Sequence, residues 1–293
     1  MSTDPAGEPL PVIVIPCFDE ERRLDVPQLA ALTESGRVRL LFVDDGSRDG
    51  TPLILHELAR SSGAVDVVDL PENVGKAEAV RRGLLEAIQR GSTIVGYYDA
   101  DLSTPPQELL RLLDVLQEQP HVSFVMGARV ALLGRTIERR AGRHYLGRIF
   151  ATLASILLGL RVYDTQCGAK VFRVSPAVVE ALSRPFRSSW AFDVELVGRL
   201  TRGTDVVEPL AASMFEEVPL REWHDVAGSK LTIGRMARAL ADLLFVALDL
   251  KLRNHSRGSS SGPRSGPVPS PSTPSRRGEG SSETESASTS DRN

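Results

Sequence analysis

Short apolar runs alternate with helical repeats along the first half of the chain. Val12–Ile15 is a β-branched run ended by Pro16, and Val38–Val43 is ended by Asp44-Asp45-Gly46-Ser47. Val65–Leu70 and Thr93–Tyr98 are a third and a fourth run. Between them Ala77, Val80, Leu84 and Ile88 recur at helical spacing, as do Leu109, Leu112, Leu113 and Leu116. Thr104-Pro105 has the form of a helix start, a cap followed by proline in the first turn. The alternation predicts an α/β fold of βαβ units around a mainly parallel sheet with helices on both faces. Ligands of such sheets bind outside the carboxyl ends of the strands. The polar clusters of this chain fall at those ends.

The second half reads differently. Ile149–Leu160 is apolar but too short to cross ~30 Å of hydrocarbon as a helix. Met236–Leu252 is apolar but broken by Arg238, Asp242, Asp249 and Lys251. Both have basic flanks. Arg135–Arg148 holds five arginines and one glutamate, and Lys230–Arg257 holds six basic residues and two aspartates, so each carries a local +4. Amphipathic helices with cationic flanks suit an anionic membrane surface. From Ser256 to Asn293 large apolar residues almost vanish, which predicts a disordered tail. The polar first eleven residues lack the pattern of a secretory signal, which predicts a cytoplasmic chain.

Composition narrows the classes. The 293 residues are 41% hydrophobic and 25% charged, ordinary values for a globular chain. A net charge of -3 gives no overall basic excess, so nucleic acid is not an expected partner. Two cysteines, Cys17 and Cys167, cannot form a disulfide framework, and neither has the histidine partner a nucleophile needs. The five histidines show no zinc spacing.

Two phosphate-binding motifs fail. The turn after the first run has no glycine fingerprint, and Gly75-Lys76 is preceded by Leu70 and followed by Ala77 where a P-loop needs glycine and Ser or Thr. Asp99-Ala100-Asp101 is more telling. In an extended chain, alternation would point both carboxylates to one side, where they can approach one hard divalent cation and leave positions for phosphate oxygens.

Together these segments resemble the family 2 glycosyltransferases, which carry the GT-A fold. The resemblance rests on Val14-Ile15-Pro16-Cys17-Phe18-Asp19-Glu20, Val43-Asp44-Asp45-Gly46-Ser47, Asn73-Val74-Gly75-Lys76 and Asp99-Ala100-Asp101. In the second half, Asp164-Thr165-Gln166-Cys167-Gly168-Ala169-Lys170, Trp190-Ala191-Phe192-Asp193-Val194-Glu195 and Gly228-Ser229-Lys230 are similar to the dolichyl-phosphate glucosyltransferase branch, close to the mannose synthases.

The resemblance implies roles by position. Pro16, Phe18, Glu20, Val43 and Asp45 would line the nucleotide pocket, with Asp99, Ala100 and Asp101 beside them. Asp101 and Asp99 would hold Mg2+ or Mn2+ and orient the sugar nucleotide. Arg129 and Lys230 would contact phosphate. Arg139 and Arg140 would collect the phosphate of a lipid acceptor. Ser103 stands where mannose synthases carry glutamine, so that ligand is not carried over. Asp193 or Glu195 is either a general base or a helix-end carboxylate held by Arg or backbone. The implied activity is inverting, metal-dependent transfer of a hexose, glucose from UDP-glucose, to a polyprenyl or dolichyl phosphate. Transfer to a soluble saccharide or protein acceptor, and non-catalytic nucleotide-sugar binding, are the alternatives. The expected organisation is a flexible N-terminus at 1–10, a GT-A domain at 11–220, a membrane-proximal helical segment at 221–254 and a disordered tail at 255–293. The expected location is the cytoplasmic face of a membrane, held peripherally, and a homo-oligomer remains open.

Overall fold

The structure, a computed structural model, describes residues 9–137, 152–156 and 158–224. In chain order the first elements are β1 (Val12–Cys17), α1 (Val26–Glu34), β2 (Arg39–Asp44), α2 (Thr51–Ser61) and β3 (Val65–Asp69). Then come α3 (Lys76–Gln89), β4 (Ile94–Tyr98), α4 (Pro106–Glu118), β5 (Phe124–Ala128) and β6 (Thr136–Ile137). The remainder are β7 (Ala169–Arg173), α5 (Pro176–Leu182), α6 (Phe192–Arg202), β8 (Phe215–Pro219) and β9 (Glu222–Trp223).

Seven strands form one sheet in the order β3-β2-β1-β4-β7-β5-β8. All pairings are parallel except those of β7, which runs antiparallel to both β4 and β5. This is the expected covered sheet, with one reversed strand. Side-chain alternation builds a core on each face. Val14 faces one way, with Val80 and Leu84 of α3, Val178 of α5 and Phe192 of α6. Ile13 and Ile15 face the other, with Leu29 of α1, Leu55 of α2 and Leu109 and Leu112 of α4. A second, two-stranded ladder pairs β6 with β9, so residues on either side of position 220 belong to one fold.

Helix α4 starts later than Thr104-Pro105 suggests. Its N-cap is Pro105 and its first residue Pro106. Thr104 and Pro105 each precede a proline, which disfavours helical ψ, so Pro105 stays extended at φ -59° and ψ 148°. That steric demand overrides a side-chain cap worth about 1 kcal/mol. Thr104 instead offers its carbonyl oxygen to the Tyr98 hydroxyl.

Part of the 149–160 stretch is described. Ala154 and Leu158 are buried in the core, while Leu153 and Ile156 are exposed. Among the described residues no helix is long and apolar enough to cross a membrane. The 236–252 stretch and the 255–293 segment lie outside the described residues.

Candidate active site

Three loops at the carboxyl edge of the sheet are laced together by polar side chains. From the loop after β1, Asp19 N–H donates to Ser47 Oγ at 3.0 Å and Glu20 N–H to Thr51 Oγ1 at 2.8 Å. In return, Arg48 N–H donates to Asp19 Oδ1 at 2.8 Å and Gly50 N–H to Glu21 Oε2 at 3.0 Å. Asp45 carries the lacing to the third loop. Its carboxylate is buried and accepts Val74 N–H at 2.7 Å on one oxygen and Gly75 N–H at 2.9 Å on the other. Gly46 makes the close approach possible. It has φ +70°, and a Cβ there would stand 2.6 Å from the backbone of Glu72.

The two aspartates after β4 occupy a turn, not an extended segment. Leu102 N–H donates to Asp99 O at 3.3 Å, and Leu102 has φ +50°. The alternation expected of Asp99 and Asp101 therefore does not apply, because the strand ends at Tyr98. Each carboxylate is placed by its own contacts. Asp99 Oδ1 accepts from Lys76 Nζ at 2.6 Å. Its N–H donates to Gly168 O at 2.9 Å, and a Cβ on Gly168 would stand 2.2 Å from the Asp99 carboxylate. Asp101 Oδ1 accepts from Ser103 N–H at 3.0 Å and Ser103 Oγ at 2.7 Å. No described residue donates to its other oxygen.

The electrostatics join these groups. Burial raises the Glu20 carboxyl above its usual range; Arg23 opposes that shift and Asp101 adds to it. Glu20 Oε1 pairs with Arg23 at 2.7 Å, while Oε2 is buried without a partner. Partial desolvation works to lower the Lys76 ammonium, whose side chain is 45% exposed, but Asp99, with Asp193 and Asp101 further off, outweighs it and holds the pKa above its ordinary value. Lys76 opens α3, so an ammonium and a helix N-terminus stand beside two carboxylates.

Such a donor set suits a hard divalent cation: two carboxylates, each with one oxygen to which no described residue donates. Among the described residues no group of three or more His, Cys, Asp or Glu side chains forms a closed protein cage. A cation here would complete its coordination with ligand oxygens and water.

The sequence profile described as glycosyl transferase family 2 matches residues 12–178, more than half of the chain. The chain belongs to glycosyltransferase family 2. Similar proteins include the dolichyl-phosphate beta-glucosyltransferase of Drosophila melanogaster, 31% identical over 243 residues, covering 75% of this chain and 68% of that one. The Saccharomyces cerevisiae protein of the same name is 27% identical, covering 80% and 73%. A polyprenol monophosphomannose synthase of Mycolicibacterium smegmatis is 28% identical, covering 67% and 74%. Among solved structures, glucosyl-3-phosphoglycerate synthase from Mycobacterium tuberculosis, in complex with Mn2+ and UDP-glucose, superposes with a TM-score of 0.59. It is 22% identical, with coverage of 83% of this chain and 80% of that one, and it establishes the shared GT-A-like fold.

This family 2 glycosyltransferase places its anticipated site residues unevenly. Phe18 is 39% exposed and Pro16 half-buried at the end of β1. The side chains of Val43 and Ala100 are buried in the core, so only their backbones can face a nucleotide. Arg129 is locked to Asp164 by Nε–Oδ2 at 2.6 Å and Nη2–Oδ1 at 2.8 Å, and it stacks 5.4 Å over Trp223. Burial would lower its pKa, but Asp164 outweighs burial and keeps the guanidinium charged. Glu195 accepts from Arg187 N–H, Ser188 N–H and Arg199, the helix-end role. Cys17 and Cys167 are buried, and burial pushes both thiols up, as befits packing residues. Phe192 is core, whereas Trp190 is exposed. Lys230, Arg139 and Arg140 lie outside the described residues.

Sequence reasoning gave no role to Lys76 or Lys170. The signal for Lys76 was present: a lysine following a glycine at a predicted helix start, in a segment that already resembled the family. Lys170 also stands in a segment that resembles the family, but Asp193 and Tyr97, the side chains it meets, are 23 and 73 positions distant, so nothing local marks its role.

Proposed function

We propose that this transferase is inverting and metal-dependent, and moves a hexose, glucose in the first instance, from UDP-glucose to a polyprenyl or dolichyl phosphate. The observation that carries the proposal is the Asp99–Asp101 turn, seated between Lys76 and Gly168, in a chain whose similar proteins include two named for dolichyl-phosphate glucosylation. An acceptor phosphate oxygen attacks the anomeric carbon, the bond from that carbon to the donor diphosphate breaks, and its electron pair leaves with the nucleotide. The acceptor is already ionised at neutral pH, so it needs positioning more than a base. A bound Mg2+ or Mn2+ would offset the charge on the departing diphosphate.

The chain's own residues divide the remaining work. Asp99 and Asp101 would hold the cation. Lys76 supplies positive charge beside them, and Glu20 and Phe18 would border the nucleotide. Arg129 spends much of its charge on Asp164, so its share of phosphate binding is smaller than position alone implies. Lys230 would add a second cation, and Arg139 and Arg140 would receive the acceptor phosphate. The enzyme would work at the cytoplasmic face of a membrane, held peripherally.

A thermal-shift panel of UDP- and GDP-sugars with and without Mn2+ or Mg2+ tests the donor side. UDP-glucose should raise the melting temperature, and more so with the cation. A panel in which no nucleotide sugar shifts the transition contradicts the proposal.

A further inference from the structure

Below Asp99 lies a cluster of ionisable side chains closed off from water. Lys170, the second residue of β7, is 0% exposed. Its ammonium donates to Cys167 O at 2.5 Å and to Asp193 Oδ1 at 2.6 Å, and stands 5.0 Å over the Tyr97 ring. The Tyr97 hydroxyl donates to the same Asp193 oxygen. Asp193 comes from the first turn of α6, so three elements meet at one carboxylate.

The cluster touches the candidate active site through backbone on two sides. Tyr97 pairs with Lys170 across β4 and β7, and lies two residues before Asp99. Cys167, whose carbonyl oxygen Lys170 holds, is followed by Gly168. The Gly168 carbonyl receives the Asp99 N–H, and its Cα lies against the Asp99 carboxylate. Moving the Cys167–Gly168 peptide would therefore move the floor under Asp99.

Stability alone is a poor reason for the cluster. Well-packed apolar residues of similar volume commonly match or exceed a buried ion pair, and the neighbours here are Phe192, Phe172 and other core residues. Geometry is the better reason. We propose that Lys170, Asp193 and Tyr97 form a positioning triad that fixes the Cys167–Gly168 peptide, and through it the orientation in which Asp99 meets the donor's cation and diphosphate. None of the three touches substrate. This role rests on Asp99 serving as proposed above.

The test replaces the triad by apolar residues, Lys170→Met with Asp193→Leu and Tyr97→Phe, so that no buried charge or hydroxyl is left unpaired. Mn2+ binding in the presence of UDP or GDP is measured by the electron paramagnetic resonance of free Mn2+, beside the melting temperature, kcat and KM. The variant should melt cooperatively within a few degrees of the parent and bind Mn2+ about 10-fold or more weakly. Its kcat should fall by about 10- to 100-fold, with KM for the lipid within about twofold. A folded variant whose Mn2+ affinity and kcat stay within about twofold of the parent overturns the triad while leaving the role of Asp99 intact. If the triple variant does not fold, Asp193→Asn decides: it keeps the shape and removes only the charge. It too should weaken Mn2+ binding, and unchanged binding overturns the triad. A parent protein that binds no Mn2+ with either nucleotide overturns the role of Asp99 and the triad with it.

Discussion

Asp101 is the residue on which the proposed chemistry can be isolated most cleanly. Asparagine keeps its volume and its bonds from Ser103 but loses the charge that a cation needs. Asp101→Asn should lower turnover by on the order of 10²- to 10³-fold, while the melting temperature stays within about 2 °C. Near-normal turnover by this variant at limiting Mn2+ would remove Asp101 from the ligands. Glu20 makes the opposite demand on stability. Its folded-state pKa is raised, chiefly by burial, so above that pKa the ionised form opposes folding. Glu20→Gln should therefore raise the melting temperature at pH 7.5. The gain should fade as pH falls through the raised folded-state value towards the unfolded one, where both states are protonated. The lost Arg23 pair is partly exposed and subtracts little. Melting curves from pH 4.5 to 7.5 read this directly, and a gain that grew on acidification would reverse the sign. Activity should fall in the same variant, as expected where a buried carboxylate is retained for function.

At the scale of elements, the β1–β4 half was legible because strand and helix periods differ and proline and glycine mark the ends. The runs from Val12, Val38, Val65 and Thr93 all became strands, with boundaries displaced by one or two residues: β1 continues through Pro16, the expected stop, to Cys17. Local rules failed where contacts are remote in sequence. The reversal of β7 left no mark on Ala169–Arg173, and a lysine in a buried strand position contradicts the apolar pattern unless Asp193 and Tyr97 are known to be near. Likewise, nothing local in Asp164–Gly168 shows what anchors this loop. It is in fact tied down on two sides, by Arg129 on the Asp164 carboxylate and by Glu217 accepting the Tyr163 and Asp164 N–H groups. Asp164→Ala leaves the buried Arg129 guanidinium uncompensated, which should cost about 3 kcal/mol or more in urea unfolding. A loss below about 1 kcal/mol would mean that Trp223 and solvent satisfy the arginine without Asp164.

At the scale of the whole molecule, the sheet gathers the carboxyl ends of β1, β3 and β4 and the loop leading into β7 around one pair of aspartates. The family follows from matched sequence over residues 12–178, and the acceptor is the step still to be measured. In sequence, the stretch Arg135–Arg148 carries a local +4. A stretch of this charge should bring the enzyme to anionic vesicles at low salt and release part of it at high salt. The central claim is that the acceptor is a lipid phosphate. Its most direct test offers equal amounts of a polyprenyl phosphate and the matching polyprenol to the full chain, with labelled UDP-glucose and Mn2+, and counts label in the organic phase. Label should appear with the phosphate and stay at background with the alcohol, which brings no negative charge and would need a base. Equal labelling of both lipids, or label carried only by an added soluble saccharide, would contradict it.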